Sequence, residues 1–281
     1  MSTALSCKIS VPAIIIFLNL TAVHAQSLRS PLTYPGLSAY STQQPDPLSF
    51  TANQAALAAV KQPAIALYGE RRFSLSETGL YVLAAVFPSS KGGFGLQLNY
   101  SGFSNFNEHR LGLAYGRSLG SRLDIGIQFD HYAYRIPGYN SFSAVNVEAG
   151  LIMHFSDKLN GGFHLYNPVV VKLIKTSGTQ LPFVYKTGLG YDASPSFFVG
   201  SEIIKEEGKP VNTITGMQYH FSKQFFARLG FMSQPATLFM GTGLGWKNLR
   251  LDIAGSYHPQ LGFSPGILLV FNLGNKRSQP Q

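Results

Sequence analysis

From residue 63 onward the chain alternates apolar and polar residues with a period of two, the pattern of strands that bury one face. In Phe94-Gly95-Leu96-Gln97-Leu98-Asn99-Tyr100-Ser101, one face carries Phe94, Leu96, Leu98 and Tyr100, and the other Gly95, Gln97, Asn99 and Ser101. A second run sets Leu123, Ile125, Ile127 and Phe129 against Asp124, Gly126, Gln128 and Asp130. A third sets Leu249, Leu251, Ile253, Gly255 and Tyr257 against Arg250, Asp252, Ala254, Ser256 and His258. Helical spacing would scatter each set around an axis, so these are strands. Fourteen are predicted, over 63–72, 78–87, 92–102, 108–118, 121–134, 142–155, 158–166, 182–191, 195–205, 211–221, 224–233, 236–246, 249–258 and 264–273. At a rise of about 3.3 Å and a tilt near 40°, about ten residues span roughly 25 Å, the height of an outer-membrane apolar band.

The links between these segments are unequal in an ordered way. Those after even strands are tight (88–91, 119–120, 156–157, 192–194, 222–223 and 247–248), whereas those after odd strands include 135–141, 206–210, 259–263 and the long 167–181. With the N-terminus in the periplasm, tight turns fall on the periplasmic side and looser loops outside, and an even strand count returns the C-terminus to the periplasm. The predicted fold is therefore all-β, a transmembrane antiparallel β-barrel of about 14 strands. A soluble sandwich or lipocalin-like barrel would point its apolar faces inward and carry many charges outside. Here the non-apolar faces are mostly Gly, Ser, Asn and Gln, which suits a filled or narrow lumen.

Composition agrees. The chain is 45% hydrophobic and 13% aromatic but only 12% charged, against about 25% charged in a typical soluble domain. The aromatic content excludes disorder, the single cysteine excludes an intrachain disulfide, and no apolar run reaches the roughly 18 residues of a membrane helix. Lys8, the apolar run 11–20 and the small residues at Val23 and Ala25 predict a signal peptide over 1–25, cleaved after Ala25. Cys7 precedes the apolar core, so it is not a lipidation cysteine. Residues 26–62 lack strand alternation and contain Pro31, Pro35, Pro45 and Pro47, with 53–60 able to form a short helix. The apolar residues of this segment are awkward on a free tail, and 14 strands enclose more space than an eight-stranded barrel's side chains fill. The segment is predicted to insert into the periplasmic mouth as a plug, with Leu48, Phe50, Asn53 and Leu57 as candidate plug residues. Residues 63–273 form the barrel and 274–281 a periplasmic tail.

Several stretches carry a family resemblance. The 264–271 run, Ser-Pro-Gly-Ile-Leu-Leu-Val-Phe, resembles the terminal-strand signal read by outer-membrane assembly machinery. The 46–57 run, Asp-Pro-Leu-Ser-Phe-Thr-Ala-Asn-Gln-Ala-Ala-Leu, resembles the "D-P-x-A…N-P-A-A-L" segment of FadL-type barrels, with Gln54 where that pattern has proline. Tyr166-Asn167-Pro168, Leu181-Pro182-Phe183 and Gly188-Leu189-Gly190-Tyr191 follow in order, then Gly216-Met217-Gln218-Tyr219, Ala227-Arg228-Leu229-Gly230-Phe231, Gly243-Leu244-Gly245, Leu251-Asp252-Ile253 and Leu261-Gly262-Phe263-Ser264. Together they cover most of the chain after the leader and are similar to FadL-type barrels, particularly the PorV/PorQ-like branch linked to type IX secretion. The resemblance implies 14 strands with an N-terminal segment in or under the lumen.

Candidate chemistry is sparse. Gly116-Arg117-Ser118-Leu119-Gly120 matches G-x-S-x-G, but that nucleophile elbow needs a strand-to-helix turn, and a strand follows here. The histidines show no metal-ligand spacing, and Gly241-Thr242-Gly243-Leu244-Gly245 lacks the lysine and helix of a phosphate loop. No catalytic, cofactor or metal site is expected. The formal net charge is +9, but the cations are dispersed and an exported barrel does not meet nucleic acid. Lys172 and Lys175 on the longest outer loop read as solvated surface charge, with lipid headgroups or a partner as the alternative. The inward positions include Arg110, Asp124, Asp130, Glu148, Glu202, Arg228, Arg250 and Asp252, which should pair across the lumen because buried charges persist only when paired. Gly241, Gly243 and Gly245 also face inward and leave room for long neighbours.

Two non-enzymatic functions follow, both within outer-membrane lipid. One is a scaffold with a secretion-system protein partner, as the PorV/PorQ resemblance implies. The other is a FadL-like passive conduit for a small hydrophobic ligand. Capturing an apolar ligand favours large outer loops, and most outer links here are short, so the expectation leans to the scaffold.

Overall fold

The structure is a computed structural model that describes residues 36–104, 106–135, 142–169 and 181–274. The predicted cleavage after Ala25, Lys172, Lys175 and the tail beyond Gly274 lie outside the described residues. Fourteen antiparallel strands form a closed barrel. They are β1 (Ala64–Arg71), β2 (Gly79–Ser89), β3 (Gly92–Phe103), β4 (Phe106–Ser118), β5 (Leu123–Arg135), β6 (Phe142–His154) and β7 (Leu159–Tyr166), followed by β8 (Val184–Ser194), β9 (Phe197–Glu206), β10 (Asn212–His220), β11 (Phe225–Ser233), β12 (Ala236–Trp246), β13 (Leu249–His258) and β14 (Gly262–Asn272). Each strand pairs with its sequence neighbours, and β1 closes on β14 from Ala64 opposite Asn272 to Glu70 opposite Gly266.

Strand ends depart from the sequence pattern by at most three residues, the larger departures for local reasons. β8 begins at Val184 because Pro182 has no N–H to give the ladder. β5 begins at Leu123, since 121–122 complete the turn from β4. The one register irregularity within the paired strands is at Asp192 and Ser194 on β8.

The burial pattern inverts that of a soluble barrel. Leu67, Leu98, Leu113, Ile127, Leu189, Met240, Ile253 and Ile267 point out and are exposed, while Gln97, Asn99, Gln128, Asp130, Asn146 and Asn160 are buried inside. An apolar surface this continuous is stable only against lipid. Aromatic residues ring it near the tight turns, where Phe94 and Tyr115 lie 4.9 Å apart between centroids, Phe221 and Phe225 5.4 Å apart, and Trp246 projects outward. Such girdles mark the membrane–water interfaces. The protein is an outer-membrane β-barrel.

The lumen around Gln97 and Gln128 is filled, in keeping with its Gly-, Asn- and Gln-rich inward faces: each is 0% exposed. On the outer face the expected outcome is simpler. Leu98→Arg, at the middle of β3, should destabilise the barrel by about 2–4 kcal/mol if it lies near the bilayer midplane, read by equilibrium unfolding from vesicles. Leu98→Met should cost under about 1.5 kcal/mol.

Candidate functional site

Residues 36–62 lie inside the barrel. Three short 3-10 helices form there, at Leu37–Tyr40, Ser49–Thr51 and Gln54–Ala59. Asn53 caps the third, its side-chain oxygen accepting from the Ala55 N–H at 3.1 Å. Its amide nitrogen donates to the Leu151 and Phe163 carbonyls at 3.2 Å each, tying the helix to β6 and β7. Leu48, Phe50 and Leu57 are almost wholly buried; each such side chain contributes about 1.5–3 kcal/mol.

Glycines on the wall make the seat. A Cβ at Gly95 would stand 2.8 Å from the Phe50 ring, one at Gly116 2.9 Å from Leu57 Cβ, and one at Gly216 2.9 Å from Leu37. Gly93, Gly126, Gly150, Gly162, Gly188 and Gly190 are in similar close approach to Tyr40, Asn53, Gln54, Ala55 or Leu57. These glycines lie toward the tight-turn ends of their strands, so the segment fills the half of the lumen nearest the tight turns.

Two charge clusters hold it. In the first, Arg110 on β4 lies 2.9 Å from Asp130 and also pairs with Glu148, while His164 lies 2.9 Å from Glu148. Gln54 donates to Glu148 at 2.6 Å. Gln54 is the residue that departs from the FadL-type proline, and its amide joins the N-terminal segment to this cluster. In the second, Asp46 lies 2.9 Å from Arg228 and 2.8 Å from Arg250. Asp252 lies 3.4 Å from Arg228 and 3.0 Å from Arg250 Nε, the latter an ion-pair contact without hydrogen-bond alignment. The Phe226 ring turns across Gly243 and meets both guanidinium groups, at 4.6 and 5.6 Å. Burial alone would raise the Asp46 carboxyl, but Arg250 and Arg228 hold its pKa below the ordinary value.

Two of the inward carboxylates find neutral or switchable partners rather than arginine or lysine. Asp124 is 2.9 Å from His154, and Glu202 accepts from the Tyr40 hydroxyl at 2.8 Å. The reason is reach: the arginines on β4, β11 and β13 are already engaged, and Lys186 on neighbouring β8 stops beyond ion-pair distance of Glu202. Alternation overlooked Asp46, Lys186 and Asp192. Asp192, at the β8 irregularity, accepts from Ser41 Oγ at 2.6 Å and the Thr42 N–H at 2.9 Å. The strands of Arg228 and Arg250 carry a single carboxylate, Asp252, between them, which signals a missing partner without identifying it as Asp46.

Beyond the segment, in the half of the lumen away from the tight turns, is a cavity of about 250 Å³. Val184, Ile204, Ile214, Met232 and Pro235 give it an apolar wall; Arg110, Glu148, His164, Lys186, Glu202 and Glu206 give it a polar one; Thr51 and Ala52 lie beneath. Lys186 is 9% exposed and, among the described residues, has no ion pair or hydrogen bond. Ser118 is exposed at the end of β4, bonded to no histidine or carboxylate side chain. Among the described residues no group of three or more His, Cys, Asp or Glu is placed to hold a metal ion.

The "CymD monoaromatic hydrocarbon channel" superposes with a TM-score of 0.58 at 9% identity, over 81% of this chain and 92% of that one. The Pseudomonas putida toluene transporter TodX gives 0.59 at 12% identity, over 89% and 98%. This chain shares the fold of these two solved structures. A Pseudomonas aeruginosa FadL homologue likewise gives 0.57 at 12% identity, over 84% and 94%. No protein-family model matches the chain, and no curated protein sequence matches it. None of these three FadL-type structures is described as a secretion component, and nothing supports the expected PorV/PorQ-like branch. The lean toward a scaffold rested on short outer links; the cavity is built mainly from the strands themselves, so short loops do not argue against a ligand.

Asp46→Asn removes one carboxylate from between two buried guanidinium groups, a change that should destabilise by about 3–5 kcal/mol. Hydrogen exchange over 49–60 should quicken in step. The native contact has a pH signature as well. Because the folded pKa of Asp46 is depressed, its contribution is present above the unfolded carboxylate value of 3.8 and is lost as pH falls through the lower folded value. Exchange over 49–60 should therefore accelerate only at strongly acid pH, and the Asp46→Asn variant should lose that dependence.

Proposed function

We propose that the protein is a passive outer-membrane conduit for small hydrophobic molecules, with residues 36–62 as a plug on the periplasmic side. The observation that carries this reading is the 250 Å³ cavity, half apolar, standing directly on the N-terminal segment. A cavity of about 150 Å³ is enough for benzene, so a single-ring hydrocarbon fits. The channels of similar fold described as carrying toluene or monoaromatic hydrocarbons support the same ligand class. The scaffold reading has no comparable surface behind it. The plug is held by side chains on both clusters and by fitted glycines, so opening requires the segment to shift as a unit.

Proteoliposomes carrying the protein should take up toluene faster than empty vesicles. Ile204→Asp, which sets a charge in the apolar wall, should lower that uptake on the order of tenfold while the gel shift on boiling persists. Equal uptake by both proteins would remove the cavity from the route. Deleting 27–61 behind the signal peptide should raise single-channel conductance in planar bilayers without preventing assembly. If full-length and truncated proteins conduct alike, the segment is no plug.

A further inference from the structure

The tight-turn rim of the barrel is basic in a way the rest of the molecule is not. Lys91 lies in the β2–β3 link, Arg117 and Arg122 flank the β4–β5 turn, and Lys158, Lys223 and Lys247 lie in the β6–β7, β10–β11 and β12–β13 turns. All six are exposed, and among the described residues none has an ion pair. The same turns carry one acid, Asp157. The opposite rim mixes its charges: Arg72 is 3.8 Å from Glu70 and Lys209 is 2.8 Å from Glu206, and the exposed Arg71 and Arg135, which have no ion pair among the described residues, share that rim with the exposed acids Glu77 and Glu207. Lys247 holds its turn at φ 54°, a left-handed conformation that favours glycine or asparagine over lysine.

We propose that this rim seats the phosphate groups of anionic phospholipids in the inner leaflet of the outer membrane. The first reason is depth. The cations stand immediately beyond the aromatic girdle of Phe94, Tyr115, Phe221 and Trp246, and Tyr115 donates its hydroxyl to the Lys91 carbonyl at 3.0 Å. A girdle marks where acyl chain gives way to headgroup, so the next residues meet phosphate. The second reason is spacing. Adjacent turns are two strand separations apart, roughly 10 Å or more. Lys158, Lys223 and Lys247, each on a turn of its own, cannot converge on one compact anion, but each can meet a separate headgroup; Lys91, Arg117 and Arg122 lie closer together, since a Cβ at Gly92 would stand 3.0 Å from that of Arg117. The third is the charge balance: with one acid among six cations, the rim presents net positive charge to whatever lies against it. Each lysine or arginine beside an anionic surface favours association on the order of fivefold.

Trp246, the single tryptophan of the chain, is 72% exposed beside Lys247 and reports on this lipid directly. Full-length protein is reconstituted in vesicles of equal parts phosphatidylglycerol and phosphatidylethanolamine, with one lipid or the other brominated near the headgroup end of its acyl chain. Brominated phosphatidylglycerol should quench Trp246 as though enriched at least fivefold over its bulk share. High salt should reduce the preference toward unity, as should the double variant Lys223→Gln, Lys247→Gln. Equal quenching by the two lipids, or a preference that survives either high salt or the double variant, would overturn the proposal. So would a preference erased by inorganic phosphate at constant ionic strength, because the rim would then take free phosphate rather than lipid. If the double variant does not assemble, the salt series on the native protein decides.

Discussion

A backbone N–H or C=O left without a partner in hydrocarbon costs several kcal/mol, and a sheet in a membrane escapes that cost only by closing. Here closure is the seven-pair ladder between β1 and β14, and everything else follows from the circumference it sets. Fourteen strands leave an interior wider than their own inward side chains fill. The interior is then either water or something else the chain supplies. In the half nearest the tight turns it is residues 36–62, laid against a wall where glycines admit the closest approaches of Tyr40, Phe50, Asn53, Gln54 and Leu57.

Filling a polar lumen with protein creates an electrostatic demand. Arg110, Arg228, Asp130, Glu148 and Asp252 are all buried with the segment in place, and each buried charge must be offset by a partner. The partners come partly from the segment itself, through Asp46 and Gln54. The two clusters therefore join β4–β7 and β10–β13 to the same short stretch of chain. This explains how a segment made of 3-10 turns, weak structures on their own, is held in a defined place.

The same arrangement shapes function. The half of the lumen away from the tight turns lacks the segment, and the apolar side chains of β8–β11 with Lys186 line the space left over. Under the proposed conduit reading, a ligand there would stand on Thr51 and Ala52, so that ligand and segment would share a boundary. The Asp46 contacts hold that boundary from one side and Gln54–Glu148 from the other. Movement of the segment and passage through the barrel are thus one physical question.

Strand number, strand position and face were legible in the sequence alone, because period-two alternation is a local property and lipid enforces it at every outward position, as at Leu98, Ile127 and Ile253. The apolar content of 26–62 also pointed the segment inward. Partners were not legible at that level. Glu202 bonds to Tyr40 and Asp124 to His154, choices that depend on which long side chains reach across a particular gap. Asp46 sits 182 residues from Arg228 and 204 from Arg250, and no local pattern couples positions so far apart. Nor does alternation say whether an inward face is wet: Gln97 and Gln128 read as lumen-facing polar residues and are fully enclosed. The sequence determined the wall, since each strand's period is set by its own residues and the solvent beside them. Only the tertiary structure decided the filling, the pairing and the cavity, because these arise where residues distant along the chain compete for the same space.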